Sequence, residues 1–191
     1  EESASWKKFK YRAVLPVPYG MKNLTLCLNG AEIIANLAAS NEAVNKKATR
    51  RALVAQQSKK NICGYAFCSA GRTESTSDLV FSGHSLISEC GKTSAESADG
   101  ISSNHMIIAD IDTSVIRRDR LTNSTFADAS AYFSDDEITY VDLNKTEESA
   151  ADGEFTCVQK LPFIPSTEKE RNERCLSIFS IQVAGLKKRL E

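Results

Sequence analysis

The stretch GAEIIANLAASNEAVNKKATRRALVAQQSKKNICGYAFCSAG, residues 30–71, decides the fold. Its apolar run AEIIANL is followed by Ala-Ser-Asn, a pattern typical of a buried strand that ends in a functional turn. Residues 46–60 are rich in Ala, Arg, Gln and Leu without Gly or Pro, which predicts a helix. Residues 62–70 return to an apolar run. Strand, helix and strand in this order predict a βαβ unit and an α/β fold class.

The middle of the chain predicts short strands and one helix. Residues 113–121 (TSVIRRDRL) predict a helix capped by Thr113 or Asp112. Residues 122–136 are rich in Ser and Asp, which indicates a mobile segment. A tight turn is expected at residues 89–91. The predicted strands are DLVF at 78–81, SLIS at 85–88, HMIIADI at 105–111 and ITYVDL at 138–143.

The C-terminal part of the chain predicts a long helix after the Pro-containing linker PFIPST. Thr167 and Glu170 form a capping-box pattern at its start. Its apolar face must dock on this domain, on a partner subunit or on a following domain. Because the chain stops in KKRLE without a closing turn, we expect a truncation boundary there. The face comprises Cys175, Phe179, Val183, Leu186 and Leu190.

The bulk composition is that of a globular domain. Of the 191 residues, 41% are apolar and 26% are charged, which suffices for one hydrophobic core. The net charge of −1 provides no attraction to nucleic acid or to an anionic membrane, so neither is an expected partner. No apolar run approaches the length of a bilayer span, and the first residues do not resemble a signal peptide. We therefore expect a cytoplasmic protein.

The polar and sulfur-containing side chains have mainly structural interpretations. Six cysteines and two histidines lack zinc-type spacing, so we expect no metal and reduced thiols. Cys27 is expected in a helix before the first strand, and Cys63 and Cys68 in an apolar run, all as buried hydrophobes. His84 is interpreted as structural, and Asp110 and Asp112 as capping residues instead of metal ligands. Arg50 and Arg51 are expected to form ion pairs on the helix surface.

Four blocks of sequence together carry a family resemblance. They are GAEIIANLAASNE at 30–42, RRALVAQQS at 50–58 with NICGYAFCSAG at 61–71, ESTSDLVFSGHSLISECGKTSAES at 74–97, and PFIPSTEKERNERCLSIFSIQVAGLKKRL at 162–190. They resemble the glutamine-dependent NAD+ synthetases, whose glutamine-hydrolysing domain is a nitrilase-superfamily amidase. The third block is the most diagnostic, because its EST-DLVF-GH pattern is found in few other families.

The resemblance implies a two-domain enzyme of which this chain is a part. Residues 1–161 would be the C-terminal portion of a glutaminase domain, an incomplete nitrilase-like αββα sandwich. Residues 162–191 would be the linker and helix that lead to a synthetase domain. The implied partners are glutamine, that synthetase domain and other copies of the chain in a homo-oligomer. ATP and Mg²⁺ would serve the synthetase domain, which uses ammonia from glutamine to amidate nicotinate adenine dinucleotide, and this chain would hold no cofactor.

The catalytic residues of the family are not found in this sequence. The resemblance implies a cysteine nucleophile, a glutamate base and a lysine that stabilises the oxyanion. The glutamate and lysine lie well before the GAEII strand, and the cysteine stands in an ICED-type motif ahead of a VPxP stretch. LPVP is present at 15–18, but residues 10–13 read Lys-Tyr-Arg-Ala. We therefore assign no catalytic residue and expect the chain to be inactive alone.

Four residues are candidates for substrate binding. Ser40, Asn41 and Lys46 follow the GAEII strand, where the glutamine-contacting loop of the family begins, and a hydroxyl and a cation there could hold the α-carboxylate. Alternatively, Ser40 caps the following helix and Lys46 is solvated. Glu74, with Ser75, could shape the same pocket or a subunit contact, or could belong to a polar loop.

Two functional hypotheses follow from these observations. In the first, the chain is part of a full NAD+ synthetase. In the second, it is a non-catalytic nitrilase-like module that acts by oligomerisation or regulation. The first is favoured because half of an αββα sandwich would leave unpaired strand edges and a large exposed apolar face.

Overall fold

The computed structural model describes residues 21–98, 105–132, 164–165 and 167–190. The chain divides into two compact units, Glu1–Phe155 and Thr156–Glu191. The first unit is mixed α/β, as the sequence predicts, and the described part of the second is a single helix. Among the described helices, none combines the length and the apolar composition of a bilayer-spanning segment.

The predicted βαβ unit is confirmed. Helix α1 (Met21–Leu28) precedes strand β1 (Ile33–Ala38), and helix α2 (Lys46–Lys60) connects β1 to strand β2 (Gly64–Ser69). The two strands are parallel and in register from the pair Ile33–Gly64 to the pair Ala38–Ser69. Their carboxyl ends therefore meet at the same edge of the sheet.

Two further strands complete a four-stranded sheet in the order β1-β2-β3-β4. Strand β3 (Ser85–Glu89) is antiparallel to β2, and β4 (Lys92–Glu96) is antiparallel to β3. The predicted tight turn between β3 and β4 is confirmed. Its residues Cys90 and Gly91 have φ angles of 46° and 95°, the left-handed conformation that a two-residue hairpin turn requires.

The hydrophobic core lies between α1, α2 and one face of the sheet. Helix α2 packs across β2, β3 and β4. Burying these aliphatic and aromatic side chains is the main favourable term in the stability of the unit. The core cluster comprises Cys27, Ala31, Ile34, Val54, Cys63, Tyr65, Phe67 and Leu86.

The other face of the sheet is exposed only at the carboxyl ends of β1 and β2, because Ile111 packs against Gly64 at the amino end. Ala35 and Leu37 alternate with the core residue Ile34 along β1, and both are exposed, Leu37 at 69%. Cys68, the register partner of Leu37, is exposed as well, so the prediction that it is buried was wrong. The cause is strand alternation: Phe67 points into the core, and its neighbour Cys68 must point away from it.

Helices α3 (Thr113–Thr122) and α4 (Ser124–Tyr132) pack beside each other. Asp112 caps α3, as predicted, because its carboxylate accepts hydrogen bonds from the N–H groups of Ser114 at 2.9 Å and Val115 at 3.3 Å. The hydrogen bond with the Ser114 side chain lowers the pKa of Asp112 below its ordinary value. Helix α3 is also bound to the residue that precedes β1, since Arg117 donates to a Glu32 carboxylate oxygen at 2.8 Å.

Two strand predictions for the middle of the chain were wrong. Residues 78–81 form no strand, because their backbone groups bond to Glu42, Ser75 and Thr76 instead of to another strand. Residues 105–111 have no regular structure, and Met106 and Ile108 are exposed. Residues 124–132, within the segment expected to be mobile, form α4, whose first turn is capped by Asn123 through a 3.0 Å hydrogen bond from the Phe126 N–H group. The mobility of the segment stays a prediction. The strand predicted at 138–143 lies outside the described residues.

The second unit contains helix α5 (Glu168–Leu190). Thr167 begins it as predicted, because its hydroxyl accepts a 3.3 Å hydrogen bond from the Glu170 N–H group. The apolar residues of α5 are exposed, Phe179 at 65% and Leu186 at 59%. The division at residues 161 and 162, and the identity of the two parts, remain predictions.

Candidate functional site

The loop between β1 and α2 brings three of the four predicted binding residues together. Ser40 and Asn41 follow the carboxyl end of β1, and Lys46 is the first residue of α2. The Lys46 ammonium lies 2.6 Å from the Asn41 side-chain oxygen and donates a hydrogen bond to it. Asn45, in the left-handed conformation with φ 66°, turns the chain into the helix. The loop thus presents a hydroxyl, an amide and a cation at one end of the sheet.

Ser69, which was not predicted from the sequence, belongs to the same site. Its hydroxyl accepts a hydrogen bond from the Ser40 N–H group and lies 3.3 Å from the Ser40 carbonyl oxygen, to which it donates. Ser69 is the last residue of β2 and pairs with Ala38 in the parallel register. The signal was available, because the carboxyl ends of adjacent parallel strands lie side by side and usually form the ligand site of α/β sheets.

An ion pair connects this loop to the segment between β2 and β3. The Glu42 carboxylate accepts a 2.5 Å hydrogen bond from Arg50 and a second one from the Ser82 hydroxyl. Burial by itself would raise the pKa of Glu42, but the hydrogen bonds from Arg50 and Ser82 and the Arg50 charge lower it. Arg50 is only 5% exposed. Arg50 therefore pairs as predicted, but in the interior instead of on the helix surface.

A second network lies beside the first. His84, which is buried, approaches the Glu96 carboxylate at 2.9 Å, and Arg51 donates two hydrogen bonds to the same carboxylate at 2.8 and 2.9 Å. Burial lowers the pKa of His84, and this effect outweighs the hydrogen bond to Glu96, which favours the protonated form. Held between α2 and the carboxylate of β4, His84 is placed as the structural interpretation of the sequence expects.

Glu74, the fourth predicted binding residue, takes no part in the Glu42–Arg50 ion pair. It ends a short 3-10 helix (Arg72–Glu74) and is exposed, and its N–H group donates to the Gly71 carbonyl oxygen at 3.0 Å. Ser75, its neighbour, accepts a 2.9 Å hydrogen bond from the Phe81 N–H group and so shapes the segment that carries Ser82. A role for Glu74 in substrate binding remains a prediction.

The described cysteines are free thiols. Cys27 lies in α1 and is buried, as expected. It hydrogen-bonds to the buried Cys63 thiol, and this contact lowers the pKa of Cys27 and raises that of Cys63. Both lie at the amino end of β2, whereas the loop of Ser40 lies at the carboxyl end. Neither cysteine is therefore in a position to attack a substrate held by that loop.

A groove of about 780 Å³ also lies at that amino end of the sheet, away from the polar loop. Cys90 lines it together with Lys59, Asp119, Asn123 and Phe126. Within the described residues, no group of three or more His, Cys, Asp or Glu side chains could hold a metal ion. The polar loop at the carboxyl end, with its cation and hydroxyl, is the better candidate for a ligand site.

Comparison with known proteins shows what the chain as a whole is similar to. No protein-family model matches the chain. The glutamine-dependent NAD(+) synthetase of Mycobacterium tuberculosis (strain H37Rv) is 30% identical over 165 residues, and that of Mycobacterium leprae is 30% identical over 178 residues. These alignments cover 85% and 92% of the chain, but only 24% and 26% of the relatives, so the chain spans about a quarter of their length. The matches confirm the resemblance of this chain to a segment of the glutamine-dependent NAD+ synthetases.

Proposed function

We propose that the chain forms part of the glutaminase domain of a glutamine-dependent NAD+ synthetase, and that its β1–α2 loop binds glutamine. The observation that carries this proposal is the Lys46 ammonium held on Asn41 beside Ser40, at the carboxyl ends of two parallel strands. The relatives that align with the chain are named glutamine-dependent NAD(+) synthetases, which supports the assignment to that enzyme family. The cation of the loop suits a ligand that carries a carboxylate, as an amino acid does.

The chemistry of the loop suits the α-carboxylate of glutamine. An ammonium group has three donors, and the hydrogen bond to Asn41 uses one of them while holding the nitrogen in place. A carboxylate accepts charge-assisted hydrogen bonds from such a group more strongly than from a neutral donor. Ser69 holds the backbone of Ser40 at the neighbouring strand end, and Asn41, the next residue, holds the Lys46 ammonium.

The hydrolytic step would use residues other than these. The resemblance implies that a cysteine thiolate attacks the carboxamide, a glutamate accepts and returns the proton, and a lysine stabilises the oxyanion. The loop would contribute by holding glutamine so that its amide meets that cysteine. The ammonia released would then serve a synthetase domain that uses ATP and Mg²⁺.

The exposed face of the sheet supports the nitrilase-like αββα sandwich. That architecture packs two sheets face to face and covers each outer face with helices. Here α2 covers one face, whereas the opposite face presents Ala35, Leu37 and Cys68. An exposed face of small and apolar side chains is what a second sheet would cover.

The test is made on the full-length protein that contains this chain. NAD+ formation from nicotinate adenine dinucleotide and Mg-ATP is measured with glutamine and, separately, with ammonium as the nitrogen source. Lys46→Met should raise the KM for glutamine about tenfold or more, because a charge-assisted hydrogen bond is lost. The ammonium-dependent rate should not change.

The matched control is Lys60→Met, at the other end of α2, which should leave both rates unchanged. Glutamate release confirms that glutamine is hydrolysed. If the wild-type protein uses neither nitrogen source, the synthetase assignment is wrong and a non-catalytic module becomes the better explanation. If Lys46→Met leaves the KM for glutamine unchanged, the loop does not bind the substrate.

A further inference from the structure

The Glu42–Arg50 pair connects three parts of the chain that surround the proposed substrate loop. Glu42 lies between Asn41 and Lys46 in that loop, and Arg50 lies one turn beyond Lys46 on α2. The Glu42 N–H group also donates to the Val80 carbonyl oxygen at 2.6 Å, in addition to the contact of its carboxylate with Ser82. One residue thus fixes the loop to α2 and to the segment before β3.

The pair is a costly way to obtain stability. The side chain of Arg50 is only 6% exposed and that of Glu42 is 24% exposed. Two nitrogens of Arg50, Nε and Nη1, are buried and have no hydrogen-bond partner among the described residues. Moving charges out of water costs several kcal/mol per ion, and an apolar pair of similar volume often stabilises a protein as well or better. Folding alone therefore does not explain why a charged pair stands at this position.

The need to order the β1–α2 loop explains the position of the Glu42–Arg50 pair better than stability does. A loop without regular structure samples many conformations, and binding an amino acid would require it to be ordered first. The pair orders the loop in advance at its centre, through Glu42, and at the start of α2, through Arg50. Ser40 and Lys46 are then held at a fixed separation before any ligand arrives.

We propose that Glu42 and Arg50 are positioning residues for the glutamine site, which hold the loop of Ser40 and Lys46 in its binding conformation. This inference rests on the proposed function. Neither residue contacts the substrate. Their effect passes through the loop, and it should be seen in glutamine binding and be absent from a reaction that does not use the loop.

The experiment uses the full-length protein and the two nitrogen sources described above. Arg50→Met removes the guanidinium while keeping much of its apolar volume, and Glu42→Gln keeps the shape of Glu42 while removing its charge. Each should raise the KM for glutamine about tenfold, the effect typical of losing a residue that orients a ligand-binding group. The kcat with saturating glutamine should change much less, and the ammonium-dependent rate should stay at the wild-type value.

Two further variants separate positioning from folding. Arg51→Met alters the neighbouring arginine, which pairs with Glu96, and should leave the KM for glutamine unchanged. Arg50→Lys retains one charged donor and should recover part of the lost affinity. If Arg50→Met does not fold, Glu42→Gln, which is isosteric, carries the same test.

Each contrary outcome has a definite meaning. An unchanged KM for glutamine in Glu42→Gln and Arg50→Met, with an active wild-type protein, overturns this inference and leaves the proposed function intact. A parallel loss of the glutamine- and ammonium-dependent rates also overturns it, since the pair would then serve only folding. A wild-type protein without glutamine-dependent activity overturns the proposed function, and this inference with it.

Discussion

Arg120 connects more parts of the first unit than any sequence pattern indicates. Its guanidinium lies 5.0 Å from the centre of the Phe126 ring, in cation–π geometry. It also donates to carbonyl groups in the last turn of α1 and just beyond the C-terminal ends of α1 and α2, where a positive charge is favoured by the helix dipoles. The acceptors are the carbonyl oxygens of Cys27 at 3.3 Å, Ala31 at 2.7 Å, Asn61 at 3.3 Å and Ile62 at 2.9 Å.

Replacing Arg120 should destabilise the first unit. We expect Arg120→Met to lower the free energy of unfolding by about 2–4 kcal/mol, because several partly buried carbonyls lose a charged donor together. Urea unfolding followed by circular dichroism measures the change. Arg118→Met is the matched control, since Arg118 is exposed on the same helix and pairs with Asp119 at 3.8 Å. That variant should stay within about 0.5 kcal/mol of the wild type, and equal effects of the two substitutions would contradict the role given to Arg120.

At the residue scale, local chemistry was predictable and distant contacts were not. Asp112 and Thr167 were identified as caps because a cap acts within three residues of itself. Asn41 and Lys46 were grouped because both follow the GAEII strand, where the glutamine-contacting loop of the family begins. Ser69 was missed although the predicted βαβ unit places its strand end beside that of β1. The burial of Arg50 was missed because it depends on which chain segments fold together. The link from Glu42 to Ser82 spans 40 residues and leaves no local pattern.

At the scale of elements, the hairpin between β3 and β4 depends on close contact with α2. The Gly91 N–H group donates to the Ser58 hydroxyl at 3.2 Å, and a Cβ atom on Gly91 would lie 2.9 Å from Cβ of Lys59. The Lys59 atom is attached directly to the helix backbone, so it has little freedom to move. The turn therefore requires glycine both for its φ of 95° and for the approach of the helix.

The two causes can be separated by comparing glycines. Gly30 has φ 94°, but a Cβ atom there would meet no atom within 4 Å. We expect Gly30→Ala to cost about 1 kcal/mol from backbone strain alone. Gly91→Ala should cost at least about 1 kcal/mol more, because the strain is joined by overpacking against α2. Thermal unfolding of both variants provides the measurement, and equal losses would show that α2 does not constrain the turn.

The elements that the sequence predicts well are those whose pattern is local and periodic. Residues 46–60 form α2 with the predicted bounds, because a helix satisfies its own hydrogen bonds. Strands need partners. DLVF at 78–81 and HMIIADI at 105–111 are apolar enough for strands, but in the described structure no strand pairs with either of them. Apolar composition indicates that a segment lies against something, and it does not specify a sheet.

At the scale of the whole molecule, the exposed part of the second face of the sheet needs a cover. The described structure leaves Leu37 69% exposed and Cys68 exposed beside it. The cost of exposing such a face to water grows with its apolar area. The proposed αββα sandwich removes that cost by placing a second sheet there, which the full-length protein would supply. Cys68 is a natural probe of this arrangement, because its thiol lies on the face in question.

In the native full-length protein, we expect Cys68 to resist alkylation by N-ethylmaleimide and to react fully once the protein is unfolded in urea. Burial under a second sheet would deny the reagent access to the thiol. Cys27 and Cys63 are internal references, since both are already buried within this chain and must be protected whether or not the sandwich forms. Cys63 and Cys68 fall in one tryptic peptide, so tandem mass spectrometry must assign the modified sulfur. Rapid modification of Cys68 alone in the native protein would mean that its face is open to solvent, and the αββα sandwich would then be the wrong architecture.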